Sequence, residues 1–144
     1  MAPAELPLGM RLNNPWNLLQ FHIPWFGEAA SDVTVKDGGE LEFISMELGV
    51  RAGILLCYTY QRRAWNEPAV FIPKFSPAAA GNPTAQYLEN VLKWTGYQPY
   101  QDLNFHDLDV LVSWARAIWR QEQGDAAQSI TTATIIAAKA LADK

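Results

Sequence analysis

The chain has 144 residues, 49% of them hydrophobic, a length that supplies one core and is short for two ordinary domains. Its formal net charge is −4, and its eleven Lys and Arg are scattered apart from Arg62 and Arg63, so no basic stripe offers itself to nucleic acid. The single cysteine, Cys57, excludes an internal disulfide, and no run is long and apolar enough to cross a bilayer.

In chain order, residues 1–10 are rich in Pro and Gly and predict a loosely docked arm. Asn13, Asn14 and Pro15 signal a turn whose short polar side chains bond nearby backbone. Val33 to Val35 and Leu41 to Phe43 flank a glycine-containing loop, the pattern of a short β-hairpin. Ser45 is placed to cap a helix over residues 46–63, with Glu47 in the first turn and Arg62 and Arg63 in the last, each matched to the helix dipole. Asn66, Glu67 and Pro68 predict a short helical piece that Pro73 ends. Asn82 then caps, with Pro83 at the first position, a helix on which Tyr87, Val91 and Trp94 share a face and which stops at Gly96. Ser129 is expected to cap an Ala-rich C-terminal helix docking by Ile130, Ala133, Ala137 and Leu141.

The segment 108–124 organises the rest. Leu108, Leu111, Val112, Ala115, Ile118 and Trp119 step by three and four, the stripe of a helix facing a core. The next position on that stripe is Glu122, with Gly124 just after it as a stop. A carboxylate there is either the point where the helix runs out into solvent or a group held in a poorly solvated cleft. Periodicity leaves both readings open.

Other chemistries find little support. His22 and His106 stand far apart, with no HxxxH or CxxC, so no metal site is expected. No glycine-rich phosphate loop and no GxSxG occurs, and Cys57 within GILLCYTY reads as a small buried hydrophobe. No cofactor is expected. The six Trp, five Tyr and six Phe fill cores, but such faces also stack on sugar rings.

A resemblance extends over residues 11–124. RLNNPWN, then Trp25-Phe26-Gly27, Phe43-Ile44-Ser45 with Glu47, Gly49, Arg51 and Ala52, Lys74-Phe75-Ser76-Pro77, Asn82 with Thr84 and Tyr87, and Gln121-Glu122-Gln123-Gly124 keep one order and spacing. That order resembles a family of small phage-encoded proteins reading NNPGN, W-x-G, F-x-x-F-x-S-x-E-x-G-x-R-A, W-A-P-P, N-x-T-x-x-Y and H-E-N-G, labelled virion structural protein or peptidoglycan hydrolase. The family looks related to lysozyme-like muramidases, lytic transglycosylases and flagellar-rod glucosaminidases. In those enzymes a helix ending at a catalytic Glu precedes the Gly/Asn-rich segment; here the helix bearing Glu122 comes last. The resemblance therefore implies a mainly α, lysozyme-like single domain over residues 1–144, with one small hairpin and a circularly permuted order.

It also implies roles. Glu122 is the general acid, Tyr87 lines the cleft opposite it, Asn14, Asn17, Trp16, Trp25 and Thr84 contact substrate, and Glu47 is a fallback second carboxylate. Tyr87 has a packing reading as well, as one buried face with Val91 and Trp94, and for Glu47 a place at the helix start, matched to the dipole, is the simpler account. Two departures stand out: Trp16 replaces Gly, which implies either a blocked subsite or a different backbone turn, and Gln121 and Gln123 replace the His and Asn beside the acid. The implied activity is cleavage of the β-1,4 bond between N-acetylmuramic acid and N-acetylglucosamine. One Glu suffices when a substrate group attacks the sugar carbon itself. The implied partners are peptidoglycan glycan strands and other phage virion proteins, with neither nucleic acid nor membrane. The first residues lack the pattern of a secretory signal, which predicts synthesis in the host cytoplasm and delivery to the wall in a virion or through a pore. The rival reading is a non-catalytic virion or tail component that keeps the fold to bind the wall.

Overall fold

A computed structural model describes residues 6–144, and helix dominates them, with one two-stranded antiparallel sheet. A short α1 (Leu8–Arg11) is followed by an asparagine-rich turn and by 3-10 turns at Gln20–Trp25 and Gly27–Asp32. The strands β1 (Val33–Val35) and β2 (Leu41–Phe43) come next, then α2 (Met46–Arg62), α3 (Pro68–Phe75), α4 (Thr84–Thr95), α5 (Leu108–Gln123) and α6 (Thr132–Ala142).

The hairpin pairs Val33 with Phe43, Thr34 with Glu42 and Val35 with Leu41, which turns Leu41 and Phe43 inward. The segment after α1 runs along the other edge of β2. Phe43 N–H donates to the Leu12 carbonyl, Leu41 N–H to the Leu18 carbonyl, and Leu19 forms a bridge with Glu40. Residues 13–17 between these contacts turn through left-handed backbone at Asn13 (φ 56°) and Asn17 (φ 51°), a conformation Asn tolerates better than most residues.

That turn is seated against α2, which starts where Ser45 Oγ accepts from Leu48 N–H at 3.2 Å. Gly49 and Gly53, one helical turn apart, make the seat. A Cβ on Gly49 would collide with the Asn13 carbonyl, and one on Gly53 with the Trp16 indole. Trp16 fills the groove so formed, fully buried, its Nε1 donating to the Val50 carbonyl at 3.3 Å and its ring edge-on to Trp119 at 5.4 Å. The expected contact between Trp16 and substrate is thereby overturned, because the ring points into the core.

α5 is the inner helix. Leu111, Trp114, Ala115, Ala117, Ile118 and Trp119 are all buried, a wider face than the predicted stripe, while Leu108 at its start is exposed. Asp107 caps it through bonds from Asp109 N–H and Val110 N–H. α4 packs on α5, and α6 packs chiefly on α2. The buried Cys57 belongs to this core.

Several boundaries differ from expectation. Of the predicted arm, residues 1–5 lie outside the described residues, whereas α1 is docked on α5 with Gly9 buried. Pro73 does not end α3; the helix continues to Phe75 because Phe71, Ile72 and Phe75 all bury their side chains, and that packing outweighs one missing rung. Asn82 caps nothing, its amide donating instead to the Pro77 carbonyl, and Pro83 lies just outside α4. Thr131, not Ser129, caps α6, which docks by Ile135 and Ala138. Gly96 ends α4 with φ 78°, as predicted.

The seat on α2 makes a direct test. Replacing a helical glycine with alanine ordinarily favours the helix by about 1 kcal/mol. Gly53→Ala is nonetheless expected to destabilise the protein by roughly 1 to 3 kcal/mol, because Trp16 has to be displaced. Urea unfolding of the two proteins measures it, and an unchanged or raised midpoint would mean that Trp16 is not seated there.

Candidate active site

Glu122 occupies the last turn of α5, and its side chain is not released to solvent. It is part-buried in the wall of a cleft of about 350 Å³, a size typical of small-ligand sites. Asn17 Nδ2 donates to Glu122 Oε1 at 2.8 Å, and the Tyr87 hydroxyl donates to Oε2 at 2.9 Å. Each carboxylate oxygen thus meets one donor.

Asn17 reaches that position through its own turn. Asn14, buried below it, donates to the Leu18 and Leu41 carbonyls and accepts from Leu18 N–H, each at 2.9 Å, fixing the turn to the hairpin. The left-handed backbone at Asn17 then aims its amide across the gap to α5. Gln123 supports it from behind, its Nε2 lying 2.9 Å from Asn17 Oδ1 and 3.0 Å from the Pro15 carbonyl.

Tyr87 comes from the other side, one turn into α4. Its ring is buried with Val91, as the packing reading has it, and its hydroxyl reaches Glu122 from outside the residues that line the cleft. Asn90, almost a turn further along, donates to Gln121 Oε1 at 2.9 Å and ties α4 to the end of α5.

Burial pushes the Glu122 carboxyl above its ordinary value, and the bonds from Asn17 and Tyr87 offset part of that rise. The Tyr87 hydroxyl is driven well up, by burial first and then by the adjacent carboxylate, and stays a donor at neutral pH. Glu40, on the hairpin loop, lines the same cleft, and no Lys or Arg is among the described lining residues. Leu8, Leu19 and Phe21 form an exposed apolar rim. His22, beneath Phe21, stacks on Phe75 and is satisfied on both nitrogens: Nδ1 accepts from Leu19 N–H at 2.8 Å and Nε2 donates to the Phe75 carbonyl at 3.0 Å. The cleft can therefore deliver a proton from a poorly hydrated carboxyl to a neutral, partly apolar ligand. No family model and no curated protein matches the chain.

The residues named from sequence divide. Glu122, Asn14 and Asn17 line the cleft, and Tyr87, buried behind it, reaches Glu122 through its hydroxyl. Trp16 is in the core. Trp25 sits in a separate cluster, edge-on to Trp65 and Tyr60 with the Arg63 guanidinium 4.7 Å above it, and does not line the cleft. Thr84 uses its hydroxyl on the Ser76 carbonyl at 2.6 Å, so it shapes the rim through Ser76 instead of facing a ligand. Glu47 remains in the first turn of α2, away from the lining. Sequence reasoning missed Glu40, whose pairing with Leu19 across the hairpin edge only the register reveals, and Gln123, which had counted as a departure. Among the described residues, no group of three His, Cys, Asp or Glu comes together as a metal site.

His22 gives this region a pH dependence. Its buried imidazole is lowered from 6.5 to about 4, chiefly because burial disfavours the cation. Unfolded, it takes up a proton near 6.5; folded, only near 4. Stability is therefore expected to fall as pH drops through that window, by up to roughly 3 kcal/mol. Urea midpoints from pH 7 to 4 should show a decline that His22→Asn shallows, and equal slopes would place the imidazole in water.

Proposed function

We propose that this protein is a peptidoglycan-cleaving glycosidase, a muramidase or lytic transglycosylase of phage type, with a lysozyme-like domain in permuted order and Glu122 as its general acid. The observation that carries the reading is the Glu122 carboxyl, raised by burial and held from two sides at the wall of a sugar-sized cleft. A glycosidic oxygen is a poor leaving group until protonated, and an acid that holds its proton above the ordinary carboxyl range supplies that proton.

In the transglycosylase form, Glu122 protonates the glycosidic oxygen as its bond to the anomeric carbon breaks. The sugar's own 6-hydroxyl then bonds that carbon and returns its proton to the Glu122 carboxylate, closing an anhydro ring. In the hydrolytic form water takes the place of the hydroxyl. Asn17 and Tyr87 keep the carboxylate hydrogen-bonded in the state that follows proton transfer, when its charge is greatest. Glu40, the other acid on the cleft, is better placed than Glu47 to support positive charge on the sugar. Phe21 offers an apolar face at the rim for a sugar ring.

Release of muropeptides from purified sacculi tests the reading, with an anhydro product marking the transglycosylase. Glu122→Gln is expected to lower release on the order of a hundredfold to ten-thousandfold while leaving thermal stability equal or slightly higher. Binding to sacculi with no release in repeated preparations would assign the cleft to wall recognition in a virion component instead.

Two further variants separate the roles around it. Tyr87→Phe keeps the buried ring and removes one donor to a charged group, with an expected loss of roughly tenfold or more in rate at little cost in folding. Glu47→Gln should retain lysis and lose about 0.3 to 1 kcal/mol of stability through the helix dipole. Full activity in Tyr87→Phe would reduce that residue to packing.

A further inference from the structure

Gln123 follows the acid in the chain and takes part in no step of the proposed reaction, yet it is only 4% exposed and lines the cleft. A buried amide is costly unless its hydrogens are used. Both are used in one direction. A backbone carbonyl accepts and never donates, so the Pro15 carbonyl, 3.0 Å from Nε2, determines which end of the Gln123 amide faces the turn. The second hydrogen on Nε2 meets Asn17 Oδ1 at 2.9 Å, which forces the Asn17 amino group to the opposite side, onto Glu122 Oε1 at 2.8 Å.

The polarity of one backbone carbonyl is thereby passed through two amides to one oxygen of the acid. Oε1 faces a donor and has no room for a hydrogen of its own. The Tyr87 hydroxyl, unlike an amide N–H, can turn and accept, so the acid's hydrogen belongs on Oε2, 2.9 Å from that hydroxyl. Turning the Asn17 amide over would set two donors against each other at Gln123 and two acceptors against each other at an ionised Glu122. α1 closes over the pair: a Cβ on Gly9 would collide with Asn17 Oδ1 and with Gln123 Nε2, so the two amides are packed in place as well as bonded.

We propose that Gln123 is a positioning residue, which locks the orientation of the Asn17 amide and so confines the acid's proton to the Oε2 side of Glu122. Its catalytic meaning rests on the glycosidase reading, but its test does not.

The test is the titration of the Glu122 side-chain carboxyl by carbon NMR in the full-length protein, with the resonance assigned by its loss in Glu122→Gln. Gln123→Met keeps length and volume but donates nothing, and Asn17→Gly removes the amide at a left-handed position where glycine is unstrained. Each is expected to move the Glu122 midpoint upward by about one pH unit, the worth of one hydrogen bond to a charged group. The double variant should move it no further than Asn17→Gly alone, because Gln123 acts only through Asn17. Gly9→Ala, which presses on the same pair from outside, should shift the midpoint in the same direction and serves if Gln123→Met does not fold. A midpoint unchanged in a folded Gln123→Met or Gly9→Ala protein, or shifts that add in the double variant, would overturn the proposal. Since lysis is not the readout, a protein that released no muropeptides would refute the glycosidase reading and leave this test intact.

Discussion

Gly49 and Gly53 let the turn of residues 13–17 lie against α2 with no side chain between them, and the cleft depends on that approach. Seating the turn there drops Trp16 into the groove, where its edge meets Trp119 on α5. The same seating leaves Asn17, one residue on, facing the end of α5 from the opposite side. Helix α2, the turn and α5 are thus locked by one indole, and the Asn17–Glu122 bond follows from their spacing. Side chains at either glycine would push the turn outward and move Asn17 away from the acid.

Electrostatics at the site is a contest between lost water and supplied donors. Removing a carboxylate from water costs several kcal/mol, whereas each hydrogen bond to it returns roughly 1.5 to 3 kcal/mol. Two donors, Asn17 and Tyr87, leave the balance on the side of burial, and the Glu122 carboxyl stays raised. Other charges do not reverse this: His22 is neutral above about pH 4, and Glu40 is an acid. Polar contacts therefore orient Glu122 without removing its tendency to hold a proton.

What could be read from the chain is what depends on local pattern. The hairpin, the Ser45 cap, the central helix and the Gly96 stop each follow from residues within a few positions of one another, and each is where expected. Glu122 was legible because it interrupts an apolar stripe. Trp16 was misjudged because its environment is made by two glycines more than thirty positions away, which no local rule connects to it. Pro73 was misjudged for a related reason, since the burial of Phe71, Ile72 and Phe75 sustains a helix that propensity would end. Gln123 looked like a lost motif residue, whereas the distance it spans, from the Pro15 carbonyl to the Asn17 amide, shows what its side chain reaches. Trp25 and Thr84 were carried over by resemblance, and both have other partners.

At the centre of the account is a carboxyl that folding keeps protonated beyond its ordinary range. Linkage gives that property a sign. With the folded value raised, Glu122 stabilises the protein most at low pH, and the contribution is lost as pH rises through the folded value. The measurement that isolates it is the difference in unfolding free energy between the parent and Glu122→Gln across pH 4 to 8, in which every other titrating group cancels. The account predicts that the parent loses stability relative to the variant as pH rises. A parent that gains relative stability over the same range would show a carboxylate held ionised, and would contradict it.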